Sequence, residues 1–374
     1  MGMDVDLYGN GSRVGKFATT AIPDYFWREQ QMKHVLITGG AGFVGHHVIE
    51  HLIKHTDWKI TSLDRLDFSG NLNRLHEILS GYDAETKKRV NIVFHDLKAE
   101  INPITRNLIG DPDIILHLAA GSHVDRSITH PLEFVYDNII GTANILEYGR
   151  ELHAQGKLET FLYFSTDEVF GPAPLGVAYT EQERYNSSNP YSASKAGAEE
   201  LCVSYENTYK MPIMITHTMN VFGERQTPEK FIPLCIGRVN RGEKIFIHAD
   251  KSKTVPSSRF YTYAGDVSEA VYFLITNKPA VVPDYGGAHC PKFNIVGTEE
   301  TDNLSLAKMV AEAQDKELDY EMVDFHSSRP GHDLRYALSG KLMERLGWKP
   351  SVSVKERIKQ VSDWYLNNPH WLNL

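Results

Sequence analysis

From residue 32 onward, short and almost wholly apolar runs alternate with longer stretches in which apolar positions recur every three or four residues. The short runs read as strands buried on both faces, and the longer stretches as helices packed on them. Strands are expected over 35–38, 59–63, 91–95, 114–118, 160–165 and 213–217, and helices over 45–54, 138–154 and 195–210. Strand and helix taking turns in this way argues a parallel sheet covered by helices. After Asn220 the pattern loosens, and Pro228, Pro233, Pro256 and Pro283 punctuate shorter elements. That shift marks a second, smaller lobe. The organisation expected is an extension over 1–31, a first domain over 32–222 and a lobe over 223–374. The lobe interleaves with late elements of the first domain near 262–298, such as a strand over 293–296.

Composition narrows the function classes. In 374 residues, 41% hydrophobic and 23% charged content describes an ordinary globular chain with room for two lobes. A formal net charge of −9 points away from nucleic acid and anionic membranes, so an anionic ligand needs a local basic pocket. Charged residues interrupt every apolar run, so no transmembrane span is expected. Cys202, Cys235 and Cys290 are scattered and lack metal spacing. They read as reduced packing thiols in a cytoplasm-like compartment, with no metal site. The first thirty-one residues show no signal-peptide core, since Arg13 and Lys16 sit among Gly, Thr and Ser. Their aromatic run Tyr25-Phe26-Trp27 is unusual for a flexible tail, and order or disorder there stays open.

Two motifs carry chemistry. Gly39-Gly40-Ala41-Gly42-Phe43-Val44-Gly45 follows the first strand and opens a helix. Glycines at Gly39, Gly42 and Gly45 allow a tight turn with close backbone approach, and Phe43 and Val44 start a helix whose N-terminus faces a pyrophosphate. Asp64, ending the second strand, has the spacing of a carboxylate that holds ribose hydroxyls and repels a 2′-phosphate. This favours NAD over NADP, although Arg65 beside it pulls the other way. The fold class is therefore α/β, a Rossmann-type doubly wound parallel sheet with a smaller C-terminal α/β substrate lobe.

The second motif joins Thr166-Asp167-Glu168, at the end of the strand over 160–165, to Tyr191-Ser192-Ala193-Ser194-Lys195 at a helix start. A spacing of four puts the phenol and the ammonium on one helical face, where the cation favours the phenolate. A hydroxyl, two carboxylates and a base suit hydride abstraction from an alcohol followed by acid/base elimination.

Taken together, the glycine turn and Tyr191-x-x-x-Lys195 resemble the extended, nucleotide-sugar-modifying branch of the short-chain dehydrogenase/reductases. Thr166-Asp167-Glu168 resembles the signature of its dTDP-glucose 4,6-dehydratases, with Asp167 the residue that separates them from related epimerases and decarboxylases. The resemblance covers roughly residues 32–350. It implies that Tyr191 takes the sugar C4 hydroxyl proton as hydride leaves for NAD⁺, with Lys195 holding the ribose and lowering the phenol pKa. It further implies that Thr166 orients the C4 oxygen, Glu168 removes the C5 proton, and Asp167 protonates the C6 hydroxyl as it leaves. Asp167 must be protonated when it acts, which desolvation by a bound sugar could achieve.

Around this centre, Asp96 and Leu97 resemble the adenine-contacting pair, and Ala119 and Ala120 a stretch behind the pyrophosphate. Ser122, Asn220, Lys230, Phe231, Arg259, Arg329 and His332 match substrate-contacting positions, Arg259 on the diphosphate. Three stretches depart from the pattern: Gly121 stands where Glu is usual, Phe260 replaces an Asp, and 243–250 differs where the base is read. UDP-glucose or a UDP-amino sugar thus stands beside dTDP-glucose as substrate. A nucleotide-sugar epimerase or decarboxylase, or a catalytically silent NAD-binding protein, is the competing reading. The resemblance implies a homodimer built on the helices over 138–154 and 195–210.

Overall fold

The computed structural model describes residues 32–279, 290–324 and 335–373. Its strands are β1 (His34–Thr38), β2 (Lys59–Asp64), β3 (Val90–Phe94), β4 (Ile114–His117), β5 (Thr160–Thr166), β6 (Ile213–Thr218), β7 (Asn220–Phe222), β8 (Ile245–Ala249), β9 (Ser258–Tyr263), β10 (Lys292–Ile295), β11 (Glu300–Asp302) and β12 (Tyr320–Asp324). Seven of them form one parallel sheet in the order β10-β6-β5-β4-β1-β2-β3. The chain therefore reverses direction across the sheet between β1 and β4, where α/β folds place their ligands.

Alternation of side chains explains why the central strands are apolar throughout. Val35 and Ile37 point into one cluster with Val48, Ile49, Val271 and Leu274, from the Phe43–His55 and Ala264–Asn277 helices. Leu36 points the other way, to Ile145, Leu146, Ala198 and Cys202 of the Gly141–Ala154 and Pro190–Tyr209 helices. Both faces of β1 are covered, so no position on it tolerates a solvated side chain.

A separate core, around Phe222, Ile236, Ile247, Leu306, Ile358 and Tyr365, packs the later helices against the small sheets. There β9 pairs antiparallel with β11 and parallel with β7, while β12 pairs with β8. The late strand expected over 293–296 is β10, and it joins the main sheet beside β6.

Two boundaries differ from expectation in ways that matter. The helix expected from 195 begins at Pro190, because the Asn189 side chain accepts from Ser192 N while Ser192 Oγ accepts from Asn189 N. Tyr191 and Lys195 thus share the first, most rigidly capped turns. The stretch expected to be helical from 138 opens instead with a π turn, Val135–Ile140, before the α-helix Gly141–Ala154. Such widenings cluster at functional sites. Here the turn carries Asn138, whose side chain clasps Gly121 from both sides: Oδ1 accepts from Gly121 N at 2.8 Å and Nδ2 donates to Gly121 O at 3.1 Å.

Candidate active site

The glycine turn after β1 is closed to side chains. Gly39 has φ of +72°, and a Cβ there would lie 2.9 Å from the Ala119 backbone. A Cβ on Gly42 or Gly45 would meet Gly39 O at 2.9 or 2.2 Å. The helix Phe43–His55 has no side-chain N-cap, so its first N–H groups are left for an anion. Asp64 is buried beneath the turn, its Oδ2 accepting from Ala41 N at 3.1 Å and its Oδ1 from Leu66 N at 2.8 Å. Burial pushes its carboxyl above the usual range. A backbone cradle that excludes side chains, an uncapped helix start and a carboxylate with spare lone pairs fit a dinucleotide.

Residues outside the glycine turn hold this cradle. Arg74 is buried and donates to Ala41 O, Ser69 O and Arg225 O at 3.1, 2.7 and 3.0 Å. Without a bonded carboxylate, burial draws its guanidinium down to about 10. Ala119 N donates to Thr38 Oγ1, which lies 2.7 Å from His117 Nδ1, and His117 Nε2 lies 2.9 Å from Thr142 Oγ1. Burial pulls His117 down to about 3, so a neutral imidazole fixes the Ala119–Ala120 backbone. Arg65 is engaged away from the cradle, in ion pairs with Asp137 and Asp67. Asp96 stands 3.9 Å from the same guanidinium, and Leu97 packs inward with 8% exposure.

The structure brings Thr166, Asp167, Glu168 and Tyr191 together. Thr166 ends β5, and its hydroxyl donates to Asp167 Oδ1 at 3.0 Å and accepts from Glu168 N at 3.3 Å. The same hydroxyl lies near enough to the Tyr191 phenol to pull its pKa down. Asp167 is 4% exposed, and its Oδ2 has no partner. Burial and the facing Glu168 push its carboxyl up to about 7, against the pull of Thr166 and Arg259. Desolvation of this carboxyl, for which a bound sugar is one source, is already supplied by the fold. Glu168 is half-buried and accepts from Asn189 Nδ2 at 3.1 Å.

A second expectation changes as well. Lys195 was to lower the phenol, yet its ammonium donates to Phe164 O at 2.7 Å and lies 4.2 Å from the Tyr163 ring centroid. Burial draws Lys195 down to about 8. The phenol answers to burial and to Glu168 and Asp167, which together push it above its ordinary value. Burial comes first among these causes, and the Lys195 cation, directed at the strand behind, does not offset it.

Behind the centre lies a buried ionic knot. Glu199 sits on the Tyr191 helix with no exposed side chain, and it accepts from Ser165 Oγ, Tyr185 OH and His217 Nε2. Lys292 Nζ stands 3.5 Å away. His217 and Lys292 hold the Glu199 carboxyl down at about 2. Its contribution to stability is therefore complete above the unfolded value near 4.5 and is lost as pH falls toward 2. The knot ties β5, β6, β10 and the catalytic helix into one body. Glu199→Ala strands two buried partners and is expected to cost about 3–5 kcal/mol in denaturant unfolding. A loss under about 1 kcal/mol would show that the knot contributes nothing. Helical spacing of four from Lys195 was the available signal for Glu199; its partners came from distant strands.

On the substrate side, Arg259 is half-buried on β9, close enough to lower Asp167. Its Nε is buried without a partner, and its guanidinium lies 5.7 Å from the Tyr336 ring centroid. Such a donor suits a diphosphate oxygen. Ser122, Asn220 and Lys230 are exposed, and Phe231 is half-buried at the start of the Phe231–Arg241 helix. Arg329 and His332 lie outside the described residues. Among the described residues no cluster of metal ligands occurs, and no helix is long and apolar enough to cross a membrane.

Comparison with known proteins adds a family. The family model described as GDP-mannose 4,6 dehydratase matches residues 36–361. A dTDP-glucose 4,6-dehydratase from Salmonella typhimurium is 35% identical over 361 residues, covering 91% of this chain and 94% of its own. A dTDP-D-glucose 4,6-dehydratase from Mus musculus is 35% identical over 350 residues, covering 91% of each chain. Among solved structures, the dTDP-glucose 4,6-dehydratase of Bacillus anthracis in complex with NAD superposes with a TM-score of 0.76. It is 26% identical, over 91% of this chain and 99% of that one.

Proposed function

This chain belongs to the GDP-mannose 4,6-dehydratase family of nucleotide-sugar dehydratases, and we propose that its substrate is dTDP-glucose. It is an NAD-dependent hydro-lyase that forms the nucleotide-4-keto-6-deoxy sugar. The observation that carries the reading is Asp167: a carboxyl beside Thr166 and Tyr191, raised to about 7 by its own burial. Epimerisation at C4 has no use for such an acid, whereas loss of the C6 hydroxyl as water requires one. The names of the relatives support dTDP as the nucleotide and favour it over UDP.

Bound NAD⁺ would supply the hydride acceptor for C4 of the sugar and, once reduced, the hydride donor for C6. The residues divide the proton work. Tyr191 takes the C4 hydroxyl proton while Thr166, beside the phenol, orients the oxygen. The 4-keto group then makes C5–H acidic. Glu168 removes that proton, Asp167, protonated near neutrality, gives its own to the departing C6 hydroxyl, and Glu168 hands its proton back to C5 as hydride reaches C6. Lys195, anchored to Phe164 O, would hold the nicotinamide ribose. Gly39, Gly42 and Gly45 receive the pyrophosphate and Asp64 the adenosine ribose.

Arg259→Ala is expected to raise KM by roughly 10- to 100-fold with a smaller change in kcat, because a diphosphate contact acts on ground and transition state alike. Removing that charge also lets Asp167 climb further, so the alkaline fall of the dehydration step should move to higher pH. Steady-state kinetics across pH check both; an unchanged KM removes Arg259 from the diphosphate site.

The reading includes a homodimer, supported by Leu132, Val135, Tyr136 and Ile140, which stand exposed in and beside the π turn. It also includes a cytoplasmic place, which the buried free thiols Cys202, Cys235 and Cys290 suit. The test is mass spectrometry after incubation with dTDP-glucose, UDP-glucose or UDP-N-acetylglucosamine, without added cofactor. Loss of one water from dTDP-glucose alone is the expected outcome. Loss from a UDP-sugar instead overturns the nucleotide, and isomerisation or carbon dioxide release overturns the reaction.

A further inference from the structure

We propose that Asn189 is a positioning residue for the elimination step, its side-chain amide holding Glu168 at a fixed spacing from Tyr191. The inference rests on reading Glu168 as the base at C5. Its task is narrow: it takes the C5 proton, the C5–H electron pair becomes the C5–C6 double bond, and the C6–O pair leaves on the oxygen that Asp167 protonates to water. The proton on Glu168 later returns to C5 as hydride reaches C6. A reacting group misplaced by about 1 Å loses on the order of 100-fold in rate, so whatever holds this carboxylate matters to the step.

Asn189 is buried and caps the Pro190–Tyr209 helix two residues before Tyr191. Its Oδ1 accepts from Ser192 N at 2.9 Å, and its Nδ2 donates to Glu168 Oε2 at 3.1 Å. A backbone N–H only donates and a carboxylate only accepts, so both neighbours impose the same orientation on the amide. Few side chains meet both demands. Asp caps a helix as well as Asn does but sets a like charge opposite Glu168, and Ser caps with one short hydroxyl that leaves no second arm. A hydrogen bond donated to a carboxylate favours its charged, proton-accepting form. Asp167, one residue earlier, has the opposite setting, since its Oδ2 is buried with no partner. One amide thus helps divide two adjacent carboxyls into a base and an acid.

The bond falls between segments that are already tied. Asn186 N donates to Val169 O at 2.8 Å, and a Cβ on Gly171 would lie 2.3 Å from Asn186 O. The stretch 186–189 therefore lies against the turn Asp167–Phe170 that carries Glu168. Glu168 is also close enough to Tyr191 to raise its phenol. With one end on the helix start and the other on the carboxylate, Asn189 sets where both bases stand, one for the C4 hydroxyl and one for C5.

The test is single-turnover absorbance of the reduced nicotinamide with dTDP-glucose, on the full chain loaded with NAD⁺, for wild type, Asn189→Ser and Asn189→Asp. The rise reads C4 oxidation; the decay reads elimination and hydride return. Both replacements are strong N-caps, so the helix start is kept, and unfolding midpoints near wild type report folded proteins. Asn189→Ser should leave the rise within about threefold and slow the decay roughly 10- to 100-fold. Asn189→Asp should slow the decay by roughly 100-fold or more, because the like charge displaces Glu168 or keeps a proton on the pair. KM should stay within about threefold in both. The slowed decay should become sensitive to deuterium at C5 of the substrate. In heavy water, the 4-keto-glucose nucleotide recovered on quenching should gain C5 deuterium more slowly than in Asp167→Asn, which keeps the base. A merely structural cap is satisfied by Ser and Asp alike, so decay at the wild-type rate in both variants overturns the proposal. Equal losses in rise and decay also overturn it, leaving Asn189 a support of the helix alone. Wild type that neither reduces its nicotinamide nor releases water from dTDP-glucose, UDP-glucose or UDP-N-acetylglucosamine overturns the dehydratase reading, and the C5 role with it.

Discussion

Tyr191→Phe is expected to lower the rate of C4 oxidation roughly a thousandfold, the loss that follows removal of a positioned general base. Only the phenolic oxygen goes. The ring stays against Phe134, at 6.3 Å between centroids, so the turn and its cap are kept. Burial together with Glu168 and Asp167 raises the phenol in the free protein. Oxidation by wild type should therefore quicken with rising pH as the phenolate fraction grows, and this rising limb should vanish in the variant. Single-turnover absorbance of the reduced nicotinamide across pH reads both effects. Wild-type oxidation in Tyr191→Phe, or a rising limb that survives, would remove the phenol from the base role.

Asp167→Asn separates two effects of one carboxyl. Dehydration should slow by roughly 10²- to 10⁴-fold, the range for loss of a general acid, while C4 oxidation slows far less. The 4-keto-glucose nucleotide should then accumulate and be visible by mass. In wild type the same intermediate should build up only as pH rises through about 7, where Asp167 surrenders its proton. Equal loss in both steps would make the acid assignment wrong.

Stability moves the other way. The folded carboxyl titrates near 7, well above the unfolded value near 3.8, so the folded state holds the proton longer. Wild type consequently loses stability as pH rises from about 4 to 7, and the neutral amide does not. Asp167→Asn should be more stable than wild type by roughly 4 kcal/mol at pH 8, and about equal to it at pH 4. Thermal unfolding at the two pH values decides this. A variant less stable at pH 8 would show that Asp167 is held for structure.

Periodicity alone located the central strands within a residue or two, because β1, β4 and β5 are buried on both faces and admit only apolar residues over most of their length. The cofactor turn was equally legible, since glycine is the residue a closed backbone cradle demands. Thr166, Asp167, Glu168 and Tyr191 could be read as a set because their chemistry is local: one strand end and one helix start.

What the sequence could not state was each group's surroundings. Lys195 sits four residues from Tyr191, yet its charge faces Phe164 O and the Tyr163 ring, groups supplied by β5. Asp167 is proton-holding because Glu168 faces it and the protein around it shuts out water. Arg65 changes from a phosphate-binding candidate to a locked ion pair through Asp137, and Glu199 finds Ser165, His217 and Lys292 on three different strands. Residue type and spacing determined which groups are available and the scaffold they stand on. Charge state, direction and partner depend on Coulomb and desolvation terms that fall off over a few ångströms of space rather than along the chain, and only the tertiary structure decided them.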